Sequence, residues 1–585
     1  MPGRCRGVSM SVTTGPAENW ATLWEAIAAR QPEHVAVVVG DHRLTWRSLD
    51  DRAARLANAL DQRGIGADAK VAQLMFNCPE YLESSYAAFK VRASTVNVNY
   101  RYRAAEIVHV ASDSGARALI FHGAFADVVD EARRSLPELT TLVQVEDGDA
   151  AELLDGAVRY EDLIADNEPV KPVARSGSDE LLLYTGGTTG SPKGVVWRHD
   201  DLFTAMAFAG YAPLGIPVPS SASEVGEIAA RLNAAGSSPV NMTAPPLMHG
   251  TALFLAMSTF VLGGTVVLLA GRRFDPAELL RLIEREHVTQ LSIVGDAFAR
   301  PIVTELQRAE SRAIDHPCND HHHDQDQDHY DITSLTRIMS TGATLSSTYK
   351  RELMKRATRA TVVDMIGASE GGPFAMATTL PGTDPVATSK FTATPVTALF
   401  DPDTWQPIER GSGVEGVLAA TGPIPLGYYR DPTKTAATFR TIGGIRYSIP
   451  GDHAVIDLDG TVHLLGRGSV CINSGGEKVY PEEVEVVARR FAGVEDCVVV
   501  GVADDRFGEI VVLVASLTPG TSTDERSIID HVSSQLASYK APRRVVIVDH
   551  FYRSPSGKAD YRWARNVAET TLAIEQGPEA PCSQH

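Results

Sequence analysis

No stretch of this 585-residue chain is long and apolar enough to cross a bilayer. The longest apolar run, 261–269, is broken by Gly263, Gly264 and Thr265 and reads as a buried strand. The opening Met-Pro-Gly-Arg-Cys-Arg is basic, but no apolar stretch follows, so it is no secretory signal. Met10 is an alternative start, and residues 1–15 read as a disordered leader. Cysteine is scarce, with six residues at 5, 78, 318, 471, 497 and 582, no CxxC pair and no regular spacing. That excludes a disulfide frame and a cysteine zinc site, and implies reduced thiols in a cytoplasmic protein. Positive charge is in deficit too. The 54 Lys and Arg face 73 Asp and Glu, for a formal charge of −19. A general nucleic-acid binder needs a basic face and is excluded. A nucleotide ligand is not, because it needs only a local cluster of N–H donors and a few cations.

What is present is an ordinary core-forming composition, 44% hydrophobic. Segments of helical period (20–30, 46–63, 81–91) alternate with short apolar strands (34–39, 71–76). This alternation predicts an α/β fold with parallel sheets layered by helices. A polar linker, 169–178, leads into the apolar strand 181–184. Residues 220–238, Ala/Ser-rich with a helical centre, read as a surface insertion. The tract 316–331 (HPCNDHHHDQDQDHYD) reads as a solvated low-complexity loop, since as a metal site it lacks fixed ligand spacing. Beyond residue 467, strands 497–502 and 511–517 with helices 481–491 and 527–536 predict a small α+β unit. The domains therefore read as a large one over 16–467, a small one over 468–566, and a polar tail over 567–585.

The strongest chemical signal is residues 184–194, Tyr-Thr-Gly-Gly-Thr-Thr-Gly-Ser-Pro-Lys-Gly, directly behind an apolar strand. Gly186, Gly187 and Gly190 allow backbone N–H groups to wrap a phosphate closely. Thr185, Thr188 and Thr189 add hydroxyls, and Lys193 adds a point cation. The Walker A order is absent. A plain flexible loop is the bland alternative, although the whole ordered string argues for phosphate handling.

This string resembles the signature loop of the adenylate-forming superfamily of acyl-CoA synthetases, peptide-synthetase adenylation domains and luciferases. Further strings follow in that superfamily's order. Pro-Leu-Met-His-Gly at 246–250 resembles the motif whose His249 borders the acyl site. Thr-Gly-Ala-Thr-Leu at 341–345 resembles the adenine-pocket stretch, with Gly342, Ala343 and Thr344, and Gly342 falls beside the acyl group as well. Asp-Met-Ile-Gly-Ala-Ser-Glu at 364–370 resembles the Tyr-Gly-x-Thr-Glu motif. Here Ile366 replaces the aromatic that stacks on adenine, and Ser369 replaces Thr. Asp364 and Gly367 fall in the same nucleotide stretch, with Gly367 and Ala368 also beside the acyl group. Asp452 matches the ribose-binding aspartate, Arg467 the arginine near ribose and phosphate, and Ser469 the interdomain hinge. Ser474, Gly475 and Gly476 match the strand lining the pantetheine tunnel. Ser-Pro-Ser-Gly-Lys at 554–558 matches the motif that delivers the catalytic lysine, Lys558.

The resemblance runs from about Trp20 to Arg565. The strings 294–301 and 467–473 look most like actinobacterial FadD-type acyl-CoA synthetases, some of which activate steroid side-chain carboxylates. It implies an ATP-dependent acid–CoA ligase for a fatty or steroidal acid. Lys558 and Glu370 would be catalytic, and Glu370 with Ser369 would hold Mg²⁺. The implied ligands are a small carboxylic acid, ATP and CoA. Two alternatives stay open: a ligase that loads a carrier-protein pantetheine, and a non-catalytic binding protein on the same fold. A homo-oligomer and peripheral membrane contact are compatible with either.

Overall fold

The structure, a computed structural model, describes residues 17–148, 152–186, 191–315, 329–342, 345–385, 390–467, 472–479, 481–518, 520–552 and 561–576. The expected leader over 1–15 and residues 316–328 of the His/Asp-rich tract lie outside them. Among the described residues no three His, Cys, Asp or Glu side chains cluster as a metal site. Nor is any helix among them long and apolar enough to cross a membrane.

The first helix, Trp20–Arg30, forms where the periodicity predicts. Asn19 caps it, its Oδ1 accepting from the Ala21 N–H at 2.7 Å. Trp20, Leu23, Trp24 and Ile27 form its buried stripe. The helix Ala222–Ala234 lies against it and is not a surface insertion. Val225, Ile228 and Ala229 are buried there, and a Cβ on Gly226 would stand 2.6 Å from the Ala26 carbonyl. The two helices meet because glycine lets their backbones touch.

Three sheets organise the chain. An eight-stranded sheet runs Gly427–Tyr428, Pro192–Arg198, Glu180–Gly186, Ser94–Asn97, Lys70–Leu74, Ala116–His122, Thr141–Val145, Val158–Arg159. A fifteen-stranded sheet includes, side by side, Val240–Thr243, Gln290–Ile293, Arg337–Thr341, Thr361–Ala368 and Gly371–Thr379. Beyond an antiparallel edge pair, His42–Thr45 with Val35–Val39, its strands are parallel as far as Thr361–Ala368, as expected, and antiparallel from there on. The sheet is mixed because its connections shorten. Parallel neighbours need a crossover helix, whereas Glu370 with its flanking glycines and the Asp-Leu-Asp-Gly turn at 457–460 fold strands straight back.

The third sheet holds Ile472–Ser474, Glu477–Val479, Val494–Asp504, Gly508–Leu517 and Arg544–Ile547, with helices Pro481–Ala488 and Glu525–Gln535. Its core is separate from those of the larger sheets. A polar tail does not begin at 567. Helix Tyr561–Gln576 continues through that point, burying Ala564, Ala568 and Leu572 on Val498, Val500 and Val514. Those three positions, four apart, form an apolar stripe that the polar residues between them hide from a composition reading.

Candidate active site

A cavity of about 1120 Å³ lies between the large sheet and helices His199–Tyr211 and Gly250–Val261. Strand alternation builds its floor. Met339 and Thr341 on one strand, and Val363, Met365 and Gly367 on the next, face the cavity. Their neighbours Ile338 and Val362 face the opposite core. Met206, Leu214, Phe254, Leu262 and Trp197 cover it from the other side. All four residues expected to touch the acyl group, His249, Gly342, Gly367 and Ala368, line this cavity. Thr185, Ser369 and Gly476 line it as well.

Asp364 departs from expectation. It has the parity of Val362, so its side chain turns away from the cavity and binds Lys350 Nζ at 2.5 Å. Burial pushes its carboxyl above the ordinary range against the pull of Lys350. Its side chain is therefore structural. Ile366 shares that parity and packs beside Phe374, Leu399 and Leu418.

The 369–372 turn is pinned from three sides. Trp197 Nε1–H donates to the Ser369 carbonyl at 3.0 Å, Ser448 Oγ–H to the Glu370 carbonyl at 2.6 Å, and Tyr428 O–H to Glu370 Oε1 at 2.7 Å. Gly371 and Gly372 have φ of 139° and 118°, which side-chain-bearing residues rarely adopt. The Glu370 carboxylate is thus held by a hydroxyl donor and keeps oxygen lone pairs for a cation.

The glycine–threonine segment forms a hairpin. Glu180–Gly186 and Pro192–Arg198 pair antiparallel, Gly186 opposite Pro192 and Thr185 opposite Lys193. Residues 187–190 at its tip lie outside the described residues, and with them Gly187, Thr188, Thr189 and Gly190. Lys193 Nζ sits 3.0 Å from Asp431 Oδ2. The Tyr184 ring covers Gly194, where a Cβ would stand 2.6 Å from it. Asn97 anchors the hairpin to the His249 turn. Its Oδ1 accepts from the Tyr184 N–H at 2.6 Å, and its Nδ2 donates to the carbonyls of Tyr184 (2.9 Å) and Met248 (2.7 Å).

Asp452 and Arg467 stand opposite each other across the antiparallel pair Asp452–Ile456 and Thr461–Arg467. This brings the expected ribose and phosphate residues together at one place on the large domain. Ala343, Thr344, Ser469 and Lys558 lie outside the described residues.

The small domain closes one end of the cavity. Ser474 pairs with Glu477, and Gly475 and Gly476 turn the chain with φ of 61° and 86°. A Cβ on Gly476 would stand 3.5 Å from the Val294 side chain, so the turn lies directly against the large domain. Glu477 Oε1 then meets His249 Nε2 at 3.3 Å and Arg101 at 3.1 Å. Burial alone would raise the Glu477 carboxyl, but His249, Arg101 and Lys540 hold it below its ordinary value. Asn97 and Arg101 were not singled out in the sequence, and Glu477 only closes the string that resembles the pantetheine-tunnel strand. Their partners are far along the chain, and no local pattern marks them.

The AMP-binding enzyme family matches residues 24–429, and the AMP-binding enzyme C-terminal domain matches 483–558. The chain belongs to the AMP-binding enzyme family. It is 40% identical to the medium-chain acyl-CoA ligase Mig of Mycobacterium avium, over 93% of this chain and 97% of that one. It is 37% identical to the 3-oxocholest-4-en-26-oate–CoA ligase of Rhodococcus rhodochrous, over 94% and 96% of the two chains. Among solved structures it is similar to the amide bond synthetase McbA of Marinactinospora thermotolerans, with TM-score 0.73 and 22% identity over 94% of this chain and 99% of that one. At that identity the likeness speaks for the adenylate-forming fold alone. A large α/β domain and a small C-terminal domain are the architecture expected from the motifs.

Proposed function

We infer that this chain is an ATP-dependent, AMP-forming acid–CoA ligase whose substrate is a long, hydrophobic carboxylic acid, fatty or steroidal. The observation that carries this reading is the long cavity running from the His249–Gly342–Gly367 end along the face of the sheet to Gln290, Arg337 and Thr361, with the small domain's Gly475–Gly476 turn beside its first end. The curated relatives named above are ligases for acids of these two kinds.

A carboxylate is a poor electrophile. In the first step its oxygen attacks the α-phosphorus of ATP, giving acyl-AMP and pyrophosphate. The protein's task is positioning and charge neutralisation. The 184–194 hairpin with Lys193 would hold the β- and γ-phosphates. Gly342, Ala343, Thr344 and the backbone of 364–367 would line the adenine, and Asp452 with Arg467 the ribose side. Lys558 would bridge the carboxylate and α-phosphate oxygens. Glu370 and Ser369 present one carboxylate and one hydroxyl, a set suited to Mg²⁺, which keeps waters and takes phosphate oxygens as its other ligands. When bound, Mg²⁺ neutralises phosphate charge. In the second step a thiol enters past Ser474, Gly475 and Gly476, attacks the acyl carbon, and AMP leaves. Rotation about Ser469 would exchange Lys558 for the Gly475–Gly476 turn between the two steps. The enzyme would work in the cytoplasm, where ATP and CoA are at hand.

The test is acid-dependent ATP–pyrophosphate exchange followed by CoA-dependent release of AMP. Lys558→Ala should lower exchange by about 100- to 1000-fold, while thioester formation from supplied acyl-AMP and CoA persists. Exchange with no acid tried would sink the enzyme reading. Acyl transfer to a pantetheinylated carrier protein but not to CoA would favour the carrier-loading alternative.

A further inference from the structure

The cavity changes character along its length. Its middle is apolar, floored by Met339, Val363, Met365 and Met376. At the start of the strands, Gln290, Arg337 and Thr361 stand in one row. Gln290 is the register partner of Arg337, Arg337 is that of Thr361, and all three line the cavity. Thr361 and Gly367 are six positions apart on one strand. At about 3.3 Å per residue the polar row lies about 20 Å from the end where the carboxylate is activated.

Arg337 differs from several sheltered cations that meet acids. Arg52 meets Glu83 and Glu161, Arg175 meets Glu25, and Lys350 meets Asp364. Among the described residues the Arg337 side chain has no hydrogen-bond or ion-pair partner. Burial lowers its guanidinium from the ordinary arginine value, with no acid opposing it. Neither Asp nor Glu lines this end of the cavity. A guanidinium carries five donors in a fixed fork. Here the fork faces a space that the activated acid would fill.

Resting on the ligase reading, we propose that Arg337, with Gln290 and Thr361 beside it, binds a hydrogen-bond-accepting oxygen, a ketone or a carboxylate, at the end of the acid remote from the activated carboxyl. The preferred substrates are then long acids oxygenated at both ends. A plain hydrocarbon end would leave a partly desolvated cation unmet, and a site built around donors disfavours a ligand that lacks the acceptor. The apolar middle excludes acids that are polar along their whole length.

The experiment compares kcat/KM for AMP release with three acids of one chain length: the plain alkanoate, the same acid with a ketone next to its far end, and the α,ω-dicarboxylate. In the unaltered enzyme the ketone acid should exceed the plain acid by about tenfold or more. Preference for both oxygenated acids assigns an acceptor site. Preference for the dicarboxylate alone assigns an anion site at the same residues. In Arg337→Met the oxygenated-to-plain ratio should fall toward one, and Arg337→Lys should restore part of it. Gln290→Leu, on the neighbouring strand, should lower the ratio by a smaller factor. Each ratio is taken within a single protein, so lost stability does not imitate the effect. A ratio near one in the unaltered enzyme, or an undiminished ratio in Arg337→Met, overturns the proposal. If no acid supports exchange, the ligase reading fails instead.

Discussion

Lys350 meets Asp364 at 2.5 Å beneath the cavity floor, with both side chains withdrawn from water. The pair fastens helix Ser347–Arg356 to strand Thr361–Ala368, which carries Val363, Met365 and Gly367 on its other face. Removing one partner strands a buried charge. Lys350→Met should cost about 3–5 kcal/mol in urea unfolding. Lys350→Met with Asp364→Leu should recover most of that. A single-variant loss below about 1 kcal/mol would show that Asp364 finds another partner or takes up a proton.

The same physics operates without charge at Asn97. Its amide serves three backbone groups of the phosphate hairpin and the His249 turn. Asn97→Leu leaves an N–H and two carbonyls buried and unmet, at a cost of about 1–3 kcal/mol for each group that water cannot reach. Melting temperature and ATP–pyrophosphate exchange should fall together. An unchanged exchange rate at saturating ATP would show that the hairpin does not depend on this anchor.

His199 supplies a pH signature. It is fully buried, its Nδ1 accepts the Trp20 N–H at 3.1 Å, and burial pushes it down to about 3. His122 is pushed down to about 4 by the same cause. Above the unfolded histidine value of about 6.5 both states hold these rings neutral, so their full contribution to stability is present there. As pH falls below that value the unfolded chain binds protons that the folded chain refuses. Stability should then drop by about 1.4 kcal/mol per pH unit for each histidine, down to its folded value. Unfolding free energies measured at pH 7, 6 and 5 should show this slope, and His199→Gln should remove one histidine's share. An equal slope in the variant would assign the acid sensitivity elsewhere.

Lys540 fastens the small domain. Its ammonium bridges Glu106 of the large domain at 2.8 Å and Glu483 of the small one at 2.7 Å. Burial alone would lower it, but the two carboxylates hold it above its ordinary value. Lys540→Met leaves those carboxylates without their cation and should loosen this arrangement of the domains. The arrangement puts the Gly475–Gly476 turn at the cavity, so thioester formation from acyl-AMP and CoA should fall by about tenfold, a loss of roughly 1.4 kcal/mol, and exchange by less. Equal losses in both half-reactions would contradict a role confined to one arrangement.

Much of this was legible in the chain. Helix Trp20–Arg30 follows from its apolar stripe, and the strand ahead of the glycine–threonine segment from its apolar run, because both signals are local. The return strand Pro192–Arg198, which makes the segment a hairpin, was not singled out in the sequence. Asp364 misleads because it falls within a nucleotide-binding string, while strand alternation sends its side chain the other way. The helix Ala222–Ala234 reads as surface because its burial depends on Gly226 meeting Ala26, far back in the sequence. Asn97 and Met248 are 151 positions apart, and His249 and Glu477 are 228 apart. Only the folded sheets bring such pairs together, so no local spacing announces them.

Strand Arg337–Thr341 exposes every second residue to the cavity. A one-residue insertion or deletion inside it would exchange Arg337, Met339 and Thr341 for Ile338 and Ser340. It would also shift the register with both neighbouring strands. Point replacement at 337, 339, 361 or 363 therefore reshapes the cavity while the strand keeps its length. A change of length is better accommodated in the loops beyond its ends.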